Sequence, residues 1–557
     1  MRIRVAVLLV MVAALVLAAS SAYRSVQPAA TDASGIQYDL DGSGASAGAT
    51  SVPTRPAATS TSTPAPSPTP TVKPNYVVVF VLDGARPDYF SVPGIPHVRA
   101  LMKNGTVYTN AFAGVLQSET PTGHAAIGTG MLPKHNGILG FGWQTPSSNY
   151  VSIFNPAYIQ DHTMENLMSG APSLAGVLHK ARPDATVAAE GSYKYYANDA
   201  LGGPSADYTM YYAPGPTGDY RPVSVPGHVP PQSLLTSKDL IYPSYKNVPL
   251  GVSDTLAMRL ARETFEQTKS NVIMLNVPEF DQPLGHLWGA NRDMKAATKL
   301  MQEFDQSLGT IEDAYRKAGV LDQTTFIITA DHGFQAFDRL VTPDVIDKAV
   351  SSAGLSVTHA AYHTADYLWL NDSSRSSQAA GAIAALQNPY IQSVYFKEQT
   401  AGGYDYVRAS SSDLFLTPGM EQANQFLLNS FVGADSPDVV VLFRDGTVGD
   451  WAENKWKGDH GGTDWESQHI PLIISGAGVR SGVVSSYPAQ LIDIAPTVLA
   501  LLGAPWNQMD GTALADALLS PPAGAAAAQN DRAPALSAAV QSMAAEASME
   551  RTRSLAR

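Results

Sequence analysis

Asp and His recur beside short apolar runs at four places in this sequence. Asp83 follows Tyr76–Leu82 (YVVVFVL). Asp281 and His286 follow Asn271–Val277 (NVIMLNV), in PEFDQPLGH. Asp331 and His332 follow Thr325–Thr329 (TFIIT), in TADHG. His460 lies in KGDHGGTD, shortly before Pro471–Ser475 (PLIIS). Three carboxylates and three imidazoles form an oxygen and nitrogen donor set large enough for two metal ions. Imidazole with carboxylate favours Zn2+, and Mn2+ or Fe also suit such a set. Singly, each residue is ordinary: Asp-Gly after a strand is a turn signal, and a lone His is more often structural than a ligand. Jointly, Asp and His at four strand ends give the placement that a site at the edge of an open α/β sheet requires.

A hydroxyl nucleophile candidate sits in Ser118-Glu119-Thr120-Pro121-Thr122-Gly123-His124. Thr before Pro predicts an N-cap at Thr120, with Pro at the first helical position. A hydroxyl at a helix N-terminus feels the positive end of the dipole, which stabilises an alkoxide and an incoming phosphate. A metal on the same oxygen would lower its pKa further. Ser118 and Thr122 are the alternative nucleophiles.

The elements that must position these side chains follow from hydrophobic patterning. The apolar runs named above, with Val439–Phe443 (VVVLF), fit strands buried on both faces. Asp254–Lys269 and Asp293–Ala318 carry helical spacing and charged faces. Alternating apolar strand and amphipathic helix predicts an α/β fold with a doubly wound, mostly parallel sheet. Two regions rich in other patterns, about 135–252 and 334–436, read as insertions over the carboxyl ends of the strands.

The ends of the chain read differently. Arg2 and Arg4 precede the apolar run Val5–Ala19, and small residues follow to Ala22. Residues 1–22 read as a secretory signal or a retained anchor; the run is slightly short of the ~20 residues a spanning helix needs. Residues 23–75 read as a spacer: 51–74 holds ten Ser/Thr and seven Pro in 24 residues. It would hold the body away from a membrane or cell wall. The catalytic body then spans 76–519, and 520–557 is an Ala-rich tail. An extracytoplasmic, secreted or anchored protein is the expectation.

Composition excludes several classes. There is no cysteine, which removes disulfide scaffolds, thiolate metal sites and cysteine nucleophiles. The net charge of -13 argues against a nucleic-acid-binding surface. No G-x-x-x-x-G-K-[ST], G-x-S-x-G, H-E-x-x-H or strand-linked G-x-G-x-x-G is present.

VLDG, T-P-T-G-H-A-A-I-G-T-G-x-x-P-x-x-x-G-I, ADHG, DHGG and D-I-A-P-T-V-L-A-L-L-G…M-D-G together resemble the alkaline phosphatase superfamily. The type I phosphodiesterase/nucleotide pyrophosphatase branch is the nearest in pattern, with Thr-nucleophile periplasmic phosphatases also similar. The resemblance runs from about Tyr76 to Asp516. It implies an alkaline-phosphatase-like fold, a Thr120 nucleophile and two Zn2+. One would take Asp83, Thr120, Asp331 and His332, and the other Asp281, His286 and His460. It implies a small phosphate ester substrate and a phospho-threonine intermediate.

Three departures from the family pattern matter. In the family the second Asp and its His stand four apart, where Asp281 and His286 stand five apart. The family's substrate-binding Asn position is Phe141, leaving Gln144 or Thr122 to replace that donor. The Lys and Arg of the Thr-type monoesterases correspond to Lys194 and Tyr196, so one cation is kept and one lost. Lys194 as a phosphate contact competes with an ordinary surface lysine. Phe141 and Tyr196 would instead line an apolar group, which favours phosphodiesters or nucleotide pyrophosphates over monoesters. A phosphomonoesterase and a catalytically degenerate binding protein on the same scaffold are the rival readings. A sulfatase fits less well, because no Cys-x-Pro-x-Arg or Ser-x-Pro-x-Arg motif is present.

Overall fold

A computed structural model of the chain describes residues 73–555 apart from 148, 154–166, 169, 247, 410–415 and 452–454. The expected signal or anchor and nearly all of the spacer lie outside the described residues. Among the described residues, no helix is long and apolar enough to cross a membrane.

The central sheet has nine strands: β1 (Tyr76–Leu82), β2 (Gly105–Tyr108), β3 (Val187–Gly191), β4 (Tyr208–Pro214), β5 (Tyr220–Ser224), β6 (Val272–Val277), β7 (Thr324–Thr329), β13 (Leu472–Gly476) and β14 (Val483–Ser485). Their order is β14-β2-β13-β7-β1-β6-β3-β4-β5. Strands β7, β1, β6, β3 and β4 run parallel. Strand β13 is antiparallel to both β2 and β7. Every residue of β1 from Val77 to Leu82 is buried, as expected of a strand covered on both faces.

Amphipathic helices supply that cover. Helix α1 (Thr120–Thr129) and helix α2 (Tyr195–Gly202) pack together beside the sheet. Helices α3 (Val252–Thr268) and α4 (Met294–Lys317) also pack together. Asp293 caps α4 by accepting the Ala296 N–H at 3.0 Å, and Arg316 and Lys317 complement the dipole at its far end. Phe304 of α4 meets Phe80 of β1 edge-on at 5.5 Å, which ties helix to sheet.

The second insertion and the strand just after it build a sheet of their own, with β8 (Val357–Tyr362), β9 (Ala365–Leu370), β10 (Ile391–Thr400), β11 (Gly403–Arg408) and β12 (Val439–Phe443). Its order is β8-β9-β12-β10-β11 and every pairing is antiparallel. Val439–Phe443 therefore does not join the central sheet, although its apolar run matches the parallel strands there. It is the middle strand of the second sheet, buried on both faces in the same way, so local pattern cannot separate the two positions. Beyond it, the Ala-rich stretch forms α5 (Ala525–Leu555). Leu536, Ala539, Val540 and Met543 of α5 are buried in one cluster with Phe112, Leu116 and Tyr367. Glu550 of α5 pairs with Arg444 at 2.6 Å.

One core group should make stability depend on pH. Glu190 of β3 is fully buried; its Oε2 accepts from Thr264 at 2.7 Å and its Oε1 has no hydrogen-bond partner. Burial pushes its pKa up to about 8. Between the ordinary glutamate value and about 8, the unfolded chain loses this proton and the folded chain keeps it. Stability must then fall as pH rises through that window. Glu190→Gln should melt higher than the parent near pH 8, with the gap closing near pH 5. Thermal melts at the two pH values check this, and a pH-independent gap contradicts it.

Candidate active site

Strand order explains why distant Asp and His residues meet. β1 lies between β6 and β7, so Asp83, Asp281 and Asp331-His332 leave the same edge of three adjacent parallel strands. β13 runs the opposite way, with Leu472 opposite Thr329 at that edge. The segment preceding β13 therefore returns His460 to the same place. Helix α1 starts there too. A Cβ at Gly123 would lie 2.5 Å from the Asp331 carbonyl oxygen, so only glycine lets the first turn of α1 approach this closely.

Thr120 is the first residue of α1 and Glu119 occupies the cap position with extended backbone. This corrects the expected N-cap by one residue. The Thr120 hydroxyl is consequently not spent on capping. Its Oγ1 donates toward Asp83 Oδ1 at 3.5 Å and accepts from Lys194 Nζ at 3.4 Å.

The six Asp and His side chains gather in overlapping groups, one of which joins His286 and His460 with Asp459. Asp83, Asp331 and His332 place their ligand atoms together, as do Asp281, His332 and His460. His286 Nε2 lies 3.2 Å and His460 Nε2 3.7 Å from Asp281 Oδ1. The unusual Asp281–His286 spacing is absorbed in a π turn over Phe280–Gly285, where the His286 N–H donates to the Asp281 carbonyl at 3.0 Å. A π turn widens the helix by one residue, so the fifth residue takes the position the fourth has in an α turn.

All three imidazoles share one orientation rule. Nδ1 of His286, His332 and His460 donates to the carbonyls of Gly458, Gly333 and Ser118 at 3.1, 2.9 and 2.9 Å. A carbonyl only accepts, so in each neutral ring Nε2 carries the lone pair. Those lone pairs face carboxylate oxygens. Asp281 Oδ1, Asp331 Oδ2 and His332 Nε2 are buried without a hydrogen bond of normal geometry. Acceptors turned toward acceptors in a buried volume call for cations, and this donor set fits divalent metals of the zinc type.

Lys194 is not a surface lysine. It is 2% exposed, and its ammonium lies 2.9 Å from Asp83 and 2.5 Å from Asp281. Burial pushes Lys194 down, but Asp281 and Asp83 outweigh it and hold the group well above the usual lysine value. Burial likewise pushes Asp281 up, while Lys194 and then His286 bring it well below the usual range. Burial and then His332 keep His460 well below the ordinary histidine value, so it is neutral and fit to ligate. Phe141 and Tyr196 pack edge-to-face at 5.0 Å. Of the two substitutes for the missing Asn, Gln144 is engaged by Thr358 of β8, and Thr122 keeps a buried hydroxyl without a hydrogen-bond partner.

The structure adds residues that the sequence reading missed. Asn276 donates to Asp83 Oδ2 at 2.7 Å and sits 2.9 Å from His124 Nε2. His124 Nδ1 bonds the Thr120 carbonyl at 2.8 Å and lies 3.2 Å from Asp331. This chain braces Asp83 and Asp331 from beneath. His363, between β8 and β9, lies 2.7 Å from Glu119 and 3.4 Å from Asp459. It thereby joins the neighbour of Thr120 to the neighbour of His460. Asn276 had a signal, as a polar residue in an apolar run, and His124 stands one helical turn after Thr120. His363 had none, because its role comes from the second sheet.

A mostly parallel α/β sheet carrying two adjoining Asp/His groups at its carboxyl edge, beside a helix that starts with Thr, defines the alkaline phosphatase superfamily. Residues 77–463, well over half the chain, match the family described as type I phosphodiesterase / nucleotide pyrophosphatase. The chain belongs to that family. Similar solved structures include wild-type alkaline phosphatase PafA (TM-score 0.63, 16% identity, 80% of this chain and 99% of that one). Human ectonucleotide pyrophosphatase / phosphodiesterase 5 is also similar (TM-score 0.55, 16% identity, 80% and 100%). So is the inactive murine form in complex with AMP (TM-score 0.54, 15% identity, 79% and 97%). At these identities the likeness concerns the fold. Arylsulfatase K of Danio rerio is 56% identical over 39 residues, and the match spans 7% of this chain and 8% of that protein.

Burial and then Asp331 push Asp83 up to about 6 despite Lys194. A proton there competes with a cation, so zinc affinity of the metal-free protein should rise with pH through about 6. Calorimetric titration should show it weakening steeply below that value. Affinity that does not change across that range contradicts a ligand role for Asp83.

Proposed function

We propose that this chain is an exported, metal-dependent hydrolase of small phosphate esters, with Thr120 as nucleophile. The observation that carries the reading is the Thr120 hydroxyl, set at a helix start between Asp83 and Lys194 and beside two groups of buried acceptors. Asp83, Asp331 and His332 with Thr120 would hold one divalent cation, and Asp281, His286 and His460 the other; zinc fits the donors, and Mn2+ or Fe also suit them. When bound, such cations supply Lewis-acid stabilisation of charge on the attacking, leaving and non-bridging oxygens.

The chain's own residues supply the rest. The N-terminus of α1 directs its dipole at an incoming phosphoryl group. Thr120 Oγ1 gives up its proton to solvent as it attacks phosphorus, and the bond from phosphorus to the leaving oxygen breaks, releasing an alcohol that takes a proton from solvent, or a phosphate where the substrate is a pyrophosphate. Water then cleaves the phospho-threonine, which restores the hydroxyl and releases phosphate or a phosphomonoester. Lys194, 3.4 Å from Oγ1, is placed to hold a non-bridging oxygen.

Phosphodiesters or nucleotide pyrophosphates suit the site better than monoesters. A monoester dianion carries more charge and calls for more donors. Two positions that supply them in the Thr-type phosphatases hold Phe141 and Tyr196, packed on each other. The retained Lys194 supports the monoesterase reading to a lesser degree. The sulfatase likeness covers little of the chain, and the sequence holds no Cys-x-Pro-x-Arg or Ser-x-Pro-x-Arg motif. Export rests on residues 1–22, with 23–75 as the spacer that would set the body off from a membrane or wall.

Thr120→Ala should lower turnover by more than about 10³-fold while keeping most of the bound metal. Steady-state rates with elemental analysis check this; appreciable residual turnover removes Thr120 as nucleophile, and a metal-free parent protein favours a binding role. On bis-p-nitrophenyl phosphate, kcat/KM should exceed that on p-nitrophenyl phosphate. A clear monoester preference reverses the substrate assignment.

A further inference from the structure

We infer that Trp456 is a positioning residue that sets the orientation of His286 for cation binding. The inference rests on reading Asp281, His286 and His460 as one metal-binding group. The segment from Trp456 to His460 surrounds His286. The Lys457 N–H donates to the His286 carbonyl at 2.7 Å, and His286 Nδ1 donates to the Gly458 carbonyl at 3.1 Å. Asp459 Oδ1 lies 3.9 Å from the same Nδ1. The Trp456 ring lies over the imidazole, with centroids 3.8 Å apart and planes tilted by 33°. Phe334 stands edge-on to the imidazole at 4.9 Å.

Each contact restrains something different. The backbone bond fixes the main chain at His286. The Nδ1 bond fixes one ring atom, but a ring held at one atom can still rock about that hydrogen bond. An indole face against the imidazole plane opposes the rocking, so Nε2 keeps facing Asp281 Oδ1 at 3.2 Å. The need is local. His286 follows a π turn interrupted at Gln282, whose dihedrals are not helical, so a regular helix does not set the ring's direction. Trp456 does, from a segment whose end supplies His460, another ligand of the same group.

The test uses the full-length chain stripped of metal. Zinc affinity is read by competition with a chromophoric chelator, and indole emission is followed during the titration. Trp456→Ala should weaken one of two zinc sites by about 10–100-fold and leave the other within a few-fold. Trp456→Phe, which keeps a ring face, should stay within a few-fold of the parent at both. The parent should change its emission as zinc fills the site that Trp456→Ala weakens, and Trp456→Phe should lose that change while still binding. If Trp456→Ala melts early without metal, Trp456→Leu carries the same comparison, since it fills space without a ring face. Parent-like affinity at both sites in the Ala and Leu variants overturns this inference alone. So does a Phe variant as weak as the Leu variant. A parent chain that binds no zinc overturns this inference together with the metal reading beneath it.

Discussion

Six lone-pair-bearing side chains, each almost fully buried, gather beside Thr120. Three carboxylates and three imidazoles so placed repel each other unless positive charge lies among them, and burial raises that cost by several kcal/mol per uncompensated ion. Much of the surrounding structure answers this constraint. Lys194 brings an ammonium to Asp83 and Asp281. Asn276 and His124 take up the outer faces of Asp83 and Asp331. Three backbone carbonyls fix the imidazoles so that each offers Nε2 inward.

Two architectural layers divide the work. The central sheet delivers candidate ligands from three adjacent parallel strands, and the reversed strand β13 brings His460 back to them. The second sheet contributes no ligand, yet it reaches the site through His363. That imidazole lies between Glu119 and Asp459, which precede Thr120 and His460 in the chain. Burial pushes His363 down, but Asp459 and then Glu119 raise it well above the ordinary value, so it sits as a cation between two carboxylates. Removing one partner of such a buried set costs more than breaking a surface pair does. Helix α5 closes the far side of the second core with Leu536, Val540 and Met543.

The family pattern breaks at two places around the site. Phe141 and Tyr196 make an aromatic pair near Lys194, so an apolar surface lies beside a buried cation. The widened turn at Phe280–Gly285 is a second break, and it leaves the ligand pair Asp281 and His286 intact. Both breaks keep the cation-facing oxygens and nitrogens in place while altering what surrounds them.

Much of the site was legible in the sequence. Asp83, Asp281, Asp331, His332 and His460 follow or precede buried apolar runs, and Thr-Pro marks a helix start; these are local signals that survive without a structure. The parallel sheet was legible for the same reason, since strands covered on both faces must be apolar throughout. Pairing was not. Val439–Phe443 carries the same pattern as β1 yet belongs to the other sheet, because apolarity reports burial and not the neighbour. Lys194 reads as any lysine until two carboxylates from different strands are seen against it. The five-residue spacing of Asp281 and His286 resolves only as a turn geometry, and Trp456 and His363 gain their roles from contacts across the fold. Residue type and local periodicity were thus settled by the chain itself. Which groups share a charge, a ring face or a hydrogen bond was settled by tertiary structure, because those interactions join residues that the sequence keeps far apart.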